Sequence, residues 1–485
     1  MKKKKVIVIG AGVIGSSISR ELCKYELDVT LIEKNVEAGL GVTKANSAII
    51  HGGYDDEPGT VRSKFCATGN SMYENLCEEL GVDYKRIGSY VLGFKEEDGK
   101  YLSELFDKSK TNGIPGCEIH SAEKVKEREP NVSEKVIGGF WCPTAAITEP
   151  WMIAMAAVEN GRKNGLKTFF EEKVIDIRTV ETEGYAKVNG VQTDKAFYEA
   201  DVVINCAGVY ADEIVSMAGT EDINLHPRKG EYVLLDKKQG ELVNSIIFPV
   251  PDKKSKGILV LPTIDGGLLL GPTAEDLAKE DRNEKSTTME GIKKVIESTF
   301  EMIKGIDLSL TVKTFAGLRP ETPQKDFVVG LTSLKGFINA AAMRSPGLTS
   351  APAIAKYIAE KVVPDSLGFK PEENKKFDPV RKKEIRPADL EISEWEKLIE
   401  EDESYGRIVC LCNKITEREI IDAVRNGATT VEGVKFHTRA SFGRCQGGFC
   451  LPKIVEIISR ETGIGFEDIK MSGTGTQILD GKVRK

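Results

Sequence analysis

The chain opens with a short apolar run, a glycine-rich turn and a helical pattern. Residues 6–9 read V-I-V-I, the segment G-A-G-V-I-G follows, and a helical stretch continues to about Tyr25. A second apolar run, 29–32, ends at Glu33. This order of strand, turn, helix and strand predicts a βαβ unit.

The glycines of this turn predict a dinucleotide site. Gly10 permits a tight turn, Gly12 lets the backbone approach a pyrophosphate, and Gly15 permits close contact between helix and strand. The helix N-terminus supplies free N–H groups and positive potential for the phosphates. Glu33 stands where a ribose hydroxyl would lie. NAD and FAD both fit this pattern, and a glycine-rich turn without a ligand is the alternative.

Short β-like runs and helical patterns alternate over most of the remaining chain. The β-like runs include 90–94, 202–206, 232–235, 258–261 and 268–271, and the helical patterns cover 151–164 and 348–361. We expect an α/β fold with a discontinuous nucleotide-binding domain of Rossmann-like type and a substrate-binding domain built on an antiparallel sheet. The expected boundaries are 1–80, 146–220 and 316–364 for the first domain, and 81–145 and 221–315 for the second.

The C-terminal part has a different character. Residues 365–404 are rich in Lys, Glu, Asp and Pro, which predicts a charged linker with a short helix near 392–399. A small, mainly helical module at 405–470 and a tail at 471–485 follow. Thr416, with Glu419 three residues later, predicts a capped helix over 416–425.

Four of the ten cysteines lie in two short pairs within this module. Cys410 and Cys412 form C-L-C, and Cys445 and Cys450 form C-Q-G-G-F-C. Short spacers and glycine-rich turns let neighbouring sulfurs point the same way, so the pairs predict one metal centre. A [2Fe-2S] cluster and a structural Zn²⁺ with four thiolates both fit, and unfilled or redox-active thiols are the third alternative.

Composition and charge restrict the classes of function. With 485 residues, 40% of them hydrophobic and 29% charged, the chain has the composition of a globular protein. The net charge of −7 gives no sign of nucleic-acid binding. The apolar run 6–9 stops at Gly10, too early for a signal peptide or a membrane span. We therefore expect a cytoplasmic protein without a transmembrane segment, in which clustered cysteines favour metal over disulfide.

Several motifs in fixed order resemble the D-amino-acid-oxidase superfamily of FAD enzymes. The glycine turn is followed by V-T-K-A-N-S-A-I-I-H-G-G-Y (42–54), I-N-C-A-G-V-Y-A-D (204–212), G-L-R-P-E-T (317–322) and R-S-P-G-L-T-S-A-P-A-I-A (344–355). The resemblance spans about 4–362, and the nearest branch looks like glycerol-3-phosphate oxidases and dehydrogenases and L-2-hydroxyglutarate oxidases. It implies an extended FAD with its pyrophosphate at the first loop and its isoalloxazine ring against the substrate sheet. The residues it implies at the cofactor, besides Gly10, Gly12 and Gly15, are Glu33, Thr43, Ser47, Val174, Ala207, Gly208, Gly347, Leu348 and Thr349.

The chain offers one histidine suited to act as a catalytic base. Oxidation of a secondary alcohol needs a group that takes the hydroxyl proton while hydride leaves the carbon, and imidazole is largely neutral at pH 7. Of the four histidines, His51 alone lies in a motif that the resemblance places near the flavin. A core or surface role is the alternative for His51 and the expectation for the others.

Cationic and hydroxyl side chains predict a small anionic hydroxy substrate. Arg319, in G-L-R-P, presents a planar fork that holds phosphate or carboxylate with two parallel hydrogen bonds. Lys256 resembles a phosphate-binding lysine of the glycerol-phosphate branch, although Lys253 and Lys254 lie close to it. Ser47 and Ser345 are hydroxyl candidates beside flavin and substrate, and Arg344 and the pair Arg228–Lys229 are further cations.

The cysteine module resembles the [2Fe-2S] domain of the bacterioferritin-associated-ferredoxin type. The matching segments are R-I-V-C-L-C-N-K-I-T-E-R-E-I and G-R-C-Q-G-G-F-C-L-P. This resemblance implies a flavoprotein subunit that passes electrons through the cluster to a second, electron-accepting subunit. We expect oxidation of sn-glycerol 3-phosphate to dihydroxyacetone phosphate. A dehydrogenase for L-2-hydroxyglutarate or for a secondary amino acid such as sarcosine or proline, and a non-catalytic electron-transfer subunit, are the alternatives.

Overall fold

The structure is a computed structural model that describes residues 3–182, 184–251 and 257–481. It divides into two compact units. The first comprises Met1–Lys34 and Ala38–Arg381, and the second comprises Asn35–Glu37 and Lys382–Lys485. The second unit therefore begins inside the segment 365–404 for which a linker was predicted.

The strands of the first unit alternate with its helices along the chain. The strands are β1 (Lys4–Ile9), β2 (Leu27–Ile32), β3 (Ile49–Ile50), β4 (Tyr84–Arg86), β5 (Ser89–Gly93), β6 (Glu118–Ser121), β7 (Gly138–Cys142), β8 (Ala146–Thr148), β9 (Lys167–Phe169), β10 (Val174–Thr182), β11 (Tyr185–Thr193), β12 (Phe197–Glu199), β13 (Val202–Asn205), β14 (His226–Leu235), β15 (Ile246–Pro249), β16 (Leu259–Pro262), β17 (Leu268–Gly271), β18 (Glu275–Asp276), β19 (Thr311–Glu321), β20 (Val328–Leu331) and β21 (Phe337–Ala341). The α-helices are α1 (Val13–Leu22), α2 (Val61–Leu80), α3 (Asp98–Thr111), α4 (Ala122–Arg128), α5 (Pro150–Lys163), α6 (Ala211–Ala218), α7 (Met289–Met302), α8 (Gly347–Tyr357) and α9 (Val363–Leu367).

A mostly parallel sheet contains the N-terminal βαβ unit. Its strand order is β20-β21-β13-β1-β2-β9, and β20 alone in this order pairs antiparallel. The apolar run of β1 is buried on both faces, as expected for a strand with neighbours above and below the sheet. Helix α1 packs against α5 and α8. Because β1 and β13 are paired in parallel, the loops at their carboxyl ends lie side by side.

A larger, mainly antiparallel sheet forms the other layer of the first unit. Its strand order is β18-β14-β17-β16-β15-β5-β7-β6, and β19 pairs with β14 along the length of both strands. Apolar residues from alternate positions of β5, β15, β16 and β17 fill its core. Smaller sheets, β10-β11-β12 and β3-β8-β4, complete the unit. The predicted combination of an α/β nucleotide-binding layer with an antiparallel sheet is confirmed, while the domain boundaries remain predictions.

The second unit is small and mainly helical. It contains α10 (Ile392–Glu401), β22 (Ile408–Cys410), β23 (Ile415–Thr416), α11 (Glu417–Arg425), α12 (Val431–Thr438) and α13 (Leu451–Thr462). The predicted cap is present, because Thr416 accepts from the N–H of Glu419 while the Glu419 carboxylate accepts from the N–H of Thr416. Its apolar core joins α11, α12 and α13 and includes Cys410 and Cys450. Over the described ranges, neither unit has a helix with the length and apolar character that crossing a membrane requires.

Candidate active site

The glycine turn has the geometry that a bound pyrophosphate requires. Gly10 has φ +100°, and a Cβ on it would lie 2.6 Å from the carbonyl oxygen of Cys206. A Cβ on Gly15 would clash with the carbonyl oxygen of Gly10. Both positions therefore demand glycine, because α1 and β13 approach the turn too closely for a side chain.

The start of α1 faces an open space beside this turn. Gly12 is the N-cap and has no side chain with which to cap the helix, so the N–H groups of the first turn need partners from elsewhere. Two neighbouring N–H groups are used within the protein: Ala11 donates to Oε2 of Glu33 over 2.7 Å, and Val13 donates to Oγ1 of Thr43 over 3.0 Å. Glu33 is thus fixed at the carboxyl end of β2, next to the turn.

A single cavity of the first unit gathers most of the predicted site residues. Its lining includes nine of them, Gly12, Thr43, Ser47, His51, Gly208, Arg319, Ser345, Gly347 and Leu348. The other cofactor candidates are outside the lining: Gly10, Gly15, Glu33, Val174, Ala207 and Thr349. Lys256 lies outside the described residues, as do Lys253 and Lys254.

Val174 and Thr349 have other surroundings. The side chain of Val174 is buried in the apolar core beneath the parallel sheet. Thr349 is fully buried on α8, and its Oγ1 accepts the backbone N–H of His51 over 2.8 Å. Thr349 therefore positions the histidine segment.

His51 is fixed from several sides at the edge of the cavity. Its carbonyl oxygen accepts from Nδ2 of Asn70 over 3.0 Å, and its ring lies 6.0 Å from that of Phe248, centroid to centroid. Its Nε2 lies 3.1 Å from Oγ of Ser345. The structure thus brings together two residues that are 294 positions apart in sequence and were both predicted at the substrate.

Three arginines form one wall of the same cavity. Arg228 on β14 and Arg319 on β19 stand opposite each other in the strand register, and Arg344 follows β21. Directly opposite residues of an antiparallel pair project to the same face of the sheet. Nη2 of Arg319 donates to the carbonyl oxygen of Thr273 over 2.7 Å.

A buried carboxylate organises this cationic wall. Glu321 is 1% exposed, and its oxygens lie 3.1 Å from Nη1 of Arg228 and 3.1 Å from Nη1 of Arg344. Arg228 also pairs with Asp276, which lies at the exposed end of the wall. Three guanidinium groups thus face two carboxylates, which leaves the wall with an excess of positive charge.

The burial of the arginines favours an incoming anion. Burial lowers the pKa of Arg344 to about 10, opposed by the charge of Glu321, so the group stays protonated at neutral pH. Burial likewise lowers the pKa of Arg319. In the described part of the chain, the buried Nε of Arg344 has no hydrogen-bond partner. Arg344 lines the cavity, and a guanidinium group there is suited to hold a phosphate or carboxylate oxygen through charge-assisted hydrogen bonds.

Glu321 was not among the predicted site residues, although a signal for it exists. It stands two positions after Arg319 in G-L-R-P-E-T, and residues i and i+2 of a strand lie on the same face. Recognition of 311–321 as a strand would therefore have placed the carboxylate on the same face as Arg319, whereas its ion pairs with Arg228 and Arg344 depend on long-range strand pairing.

The second unit brings the four clustered cysteines together in pairs. Sγ of Cys412 lies 3.5 Å from Sγ of Cys445, and the side chains of Cys410 and Cys450 form the second pair. Among the described residues, no set of three or more His, Cys, Asp or Glu side chains is arranged around one metal position.

Backbone N–H groups surround these sulfurs. The Cys450 side chain, and after it the backbone N–H groups of Asn413, Ser441 and Cys412, lower the pKa of the Cys410 thiol despite its burial. Residues with positive φ lie in the same loops, Lys414, Ser441, Gln446 and Gly447. This backbone conformation turns successive N–H groups toward one concavity, which suits thiolate sulfurs of an iron–sulfur centre.

Two family models match the chain. The model for FAD dependent oxidoreductase (DAO) matches residues 5–361, and the model for the BFD-like [2Fe-2S] binding domain matches residues 408–460. The chain belongs to the DAO family of FAD dependent oxidoreductases. Its C-terminal module is a BFD-like [2Fe-2S] domain, so FAD and a [2Fe-2S] cluster are its cofactors. The predictions of FAD and of the cluster are confirmed.

Relatives of this DAO family member include enzymes that act on hydroxy acids and glycerol phosphates. The chain is 44% identical to a glycerol 3-phosphate dehydrogenase of Caloramator mitchellensis over 484 residues, which covers 99% of this chain and 98% of the relative. It is 26% identical to a mitochondrial L-2-hydroxyglutarate dehydrogenase of Caenorhabditis elegans, over 72% of this chain and 83% of that one. Among solved structures, FAD-bound L-alpha-glycerophosphate oxidase from Mycoplasma pneumoniae superposes with a TM-score of 0.73 at 27% identity, over 80% of this chain and 100% of that chain.

The observed geometry fits both cofactors of this family member. The turn at Gly10 and the positive N-terminal end of α1 suit a pyrophosphate, and the cavity extends from there to His51 and the arginine wall. The paired sulfurs with backbone donors suit two irons, each bound by two thiolates.

The hydrogen bond between Thr349 and His51 leads to the first prediction. Thr349→Val keeps the shape of the side chain but removes the acceptor of the His51 N–H, which should lower the free energy of unfolding by about 1–3 kcal/mol. Thr349→Ser retains the oxygen and should stay closer to the parent. Urea unfolding, with FAD content measured in parallel, checks this expectation. Equal stability of the Val and Ser variants would show that this hydrogen bond does not hold the segment.

Proposed function

We propose that the chain oxidises sn-glycerol 3-phosphate to dihydroxyacetone phosphate and passes the electrons through its [2Fe-2S] cluster to a partner subunit. The observation that carries the substrate assignment is that an imidazole and three guanidinium groups line one cavity. One group is suited to take a hydroxyl proton, and the others are suited to hold an anion. The 44% identity to a glycerol 3-phosphate dehydrogenase supports the choice of anion.

In this proposal His51 is the catalytic base. The residue lines the cavity and its Nε2 lies 3.1 Å from Oγ of Ser345, so a substrate hydroxyl bound beside Ser345 would give up its proton to this nitrogen. The flavin held by this chain would supply the hydride acceptor for the carbon that bears this hydroxyl, so that the alcohol loses a proton from oxygen and a hydride from carbon and becomes a ketone. Ser47 and Ser345 would bind the substrate oxygens on either side of the reacting carbon.

The arginine wall would hold the phosphate. Arg228, Arg319 and Arg344 all line the cavity, and a planar guanidinium group can hold a phosphate with two parallel hydrogen bonds. Glu321 keeps Arg344 and Arg228 in place without neutralising the wall. Lys256 remains a predicted additional phosphate contact from outside the described residues.

The presence of both cofactors on one chain supports the proposed electron relay. Reduced flavin can pass electrons directly to oxygen, so a pure oxidase would not need an attached iron–sulfur domain. A [2Fe-2S] cluster takes up and gives off one electron at a time, so it can pass electrons from the flavin to a protein acceptor. We propose Cys410, Cys412, Cys445 and Cys450 as its ligands, because their sulfurs are paired and supplied with backbone donors.

A second candidate substrate is L-2-hydroxyglutarate. It is also an anionic secondary alcohol, and a carboxylate accepts the same two hydrogen bonds from arginine as a phosphate. The similarity to an L-2-hydroxyglutarate dehydrogenase supports it, although the identity is only 26%.

The substrate proposal is tested by anaerobic addition of candidate compounds to the purified protein. Glycerol 3-phosphate should abolish the visible flavin absorbance within one turnover, whereas L-2-hydroxyglutarate, sarcosine and proline should leave it unchanged. Loss of absorbance with L-2-hydroxyglutarate alone would select the second candidate. Reduction by none of the four would refute the proposal.

Two variants separate proton transfer from anion binding. His51→Gln should slow flavin reduction by about 10²–10⁴-fold with little change in substrate affinity, because a positioned base contributes a factor of this size. Arg344→Gln should weaken substrate binding by roughly 10-fold or more, since a charged hydrogen bond is worth about 1.5–3 kcal/mol. Arg178→Gln, at an exposed arginine of β10, is the control. Stopped-flow titration with substrate measures both constants, and the assignment fails if His51→Gln reduces at the parent rate.

The ligand assignment predicts the loss of the cluster from Cys412→Ser. The contents of iron and acid-labile sulfide should fall well below two of each per chain. The visible absorption at wavelengths beyond the flavin bands should be lost as well. Cys23→Ser, at a buried cysteine of the first unit, should retain the full content. A parent protein that contains zinc in place of iron, or a fully loaded Cys412→Ser variant, would contradict the assignment.

A further inference from the structure

We infer that the loops around the cluster cysteines form a docking surface for an acidic electron-accepting protein. We call this surface the cluster rim and define it as Leu411, Cys412, Lys414, Arg444, Phe449 and Lys453. The inference rests on the proposed electron relay and adds the place and the chemistry of the partner.

The first observation is the exposure of large apolar side chains beside the cysteines. Leu411 is 72% exposed and Phe449 is 77% exposed, although their neighbours in sequence, Cys410 and Cys450, are buried. The two loops meet at the contact between Cys412 and Cys445, so both apolar side chains belong to one region. Apolar groups exposed together in this way are typical of the centre of a protein–protein interface.

The second observation is the distribution of charge. Neither 408–416 nor 439–455 contains an Asp or Glu, whereas Lys414, Arg444 and Lys453 are exposed in the same loops. The whole chain carries a net charge of −7, so a cationic, acid-free segment here departs from the rest of the surface. The first acidic residue after β23, Glu417, is nearly buried and pairs with Arg407 and Arg460.

The exposed apolar side chains and the excess of cationic residues together indicate the kind of protein that would bind the cluster rim. The rate of electron transfer falls steeply with distance, so an acceptor must reach the exposed cysteine, Cys412, closely. An apolar centre with a cationic border suits a protein that carries an apolar patch surrounded by carboxylates. Complementary charge then steers the encounter, and the apolar contact excludes water from the path of the electron.

The test uses the full-length holoprotein reduced with dithionite, so that it does not depend on the organic substrate. After removal of the reductant, the protein is mixed with two one-electron acceptors of higher potential, an acidic blue copper protein and a basic c-type cytochrome. The acidic acceptor should be reduced at least 10-fold faster than the basic one, and its rate should fall as salt is added, because attraction between opposite charges is screened.

Variants locate the effect on the cluster rim. The triple change Lys414→Glu, Arg444→Glu and Lys453→Glu should slow reduction of the acidic protein at least 10-fold and reverse the preference. The pair Leu411→Ser and Phe449→Ser should weaken its binding without changing the salt dependence. Reduction of a small neutral dye should remain at the parent rate in all of these variants, since a dye needs no docking surface.

Matched controls lie on α10 of the same unit. Lys397→Glu makes the same change of charge at an exposed position, and Ile392→Ser removes an apolar side chain that is 76% exposed. Both should transfer electrons at the parent rate.

Several results would overturn the inference. They are faster reduction of the basic cytochrome by the parent protein, no transfer to either protein acceptor, or equal losses in the control variants. Salt-sensitive binding to phosphatidylserine vesicles through the same cations, without a preference between the acceptors, would assign the surface to a membrane instead. The substrate proposal fails separately, when glycerol 3-phosphate leaves the flavin oxidised.

Discussion

The carboxylate of Glu321 is the interaction on which the substrate side of the cavity depends. Three guanidinium groups on one wall repel each other, and burial adds a desolvation cost for each. One buried carboxylate between Arg228 and Arg344 offsets much of this cost. Because it contributes only one negative charge, it supports the wall and still leaves positive charge for an anion. The charges of the wall therefore balance the stability of the folded protein against its affinity for an anion.

The same part of the structure joins the two layers of the first unit. Arg228 and Arg319 come from paired strands of the antiparallel sheet, whereas Arg344 follows a strand of the parallel sheet. The ion pair between Arg344 and Glu321 thus connects the layer that suits the nucleotide with the layer that suits the substrate. His51 is held in a comparable way, since Thr349 and Ser345 reach it from the segment that follows the last parallel strands.

The sequence was sufficient to predict what depends on local pattern. The turn at Gly10 and the helix cap at Thr416 were predicted because neighbours in the chain determine their geometry. His51 and Ser345, which lie in contact, could both be predicted at the substrate because both stand in motifs that carry the family resemblance. These motifs name residues near a site but do not give side-chain direction: the side chain of Val174, which is predicted at the cofactor, lies in the core.

Long-range pairing explains most of what was not predicted. Glu321 acquires its role only when β19 pairs with β14, and that register brings together residues about 90 positions apart. No local pattern encodes such a register. The charged segment 365–404 presents a similar difficulty, because its composition suggests a linker while the second unit already begins at Lys382.

The hydroxyl of Ser345 gives the imidazole of His51 a partner in both of its charge states. A hydroxyl both donates and accepts, so it can point its hydrogen at the lone pair of a neutral ring and turn around to receive N–H once the ring is protonated. A lysine or a carboxylate in that place would stabilise one state and penalise the other. With a rotating hydroxyl dipole beside it instead of a fixed charge, the ring keeps a hydrogen-bond partner whether it gains or loses a proton.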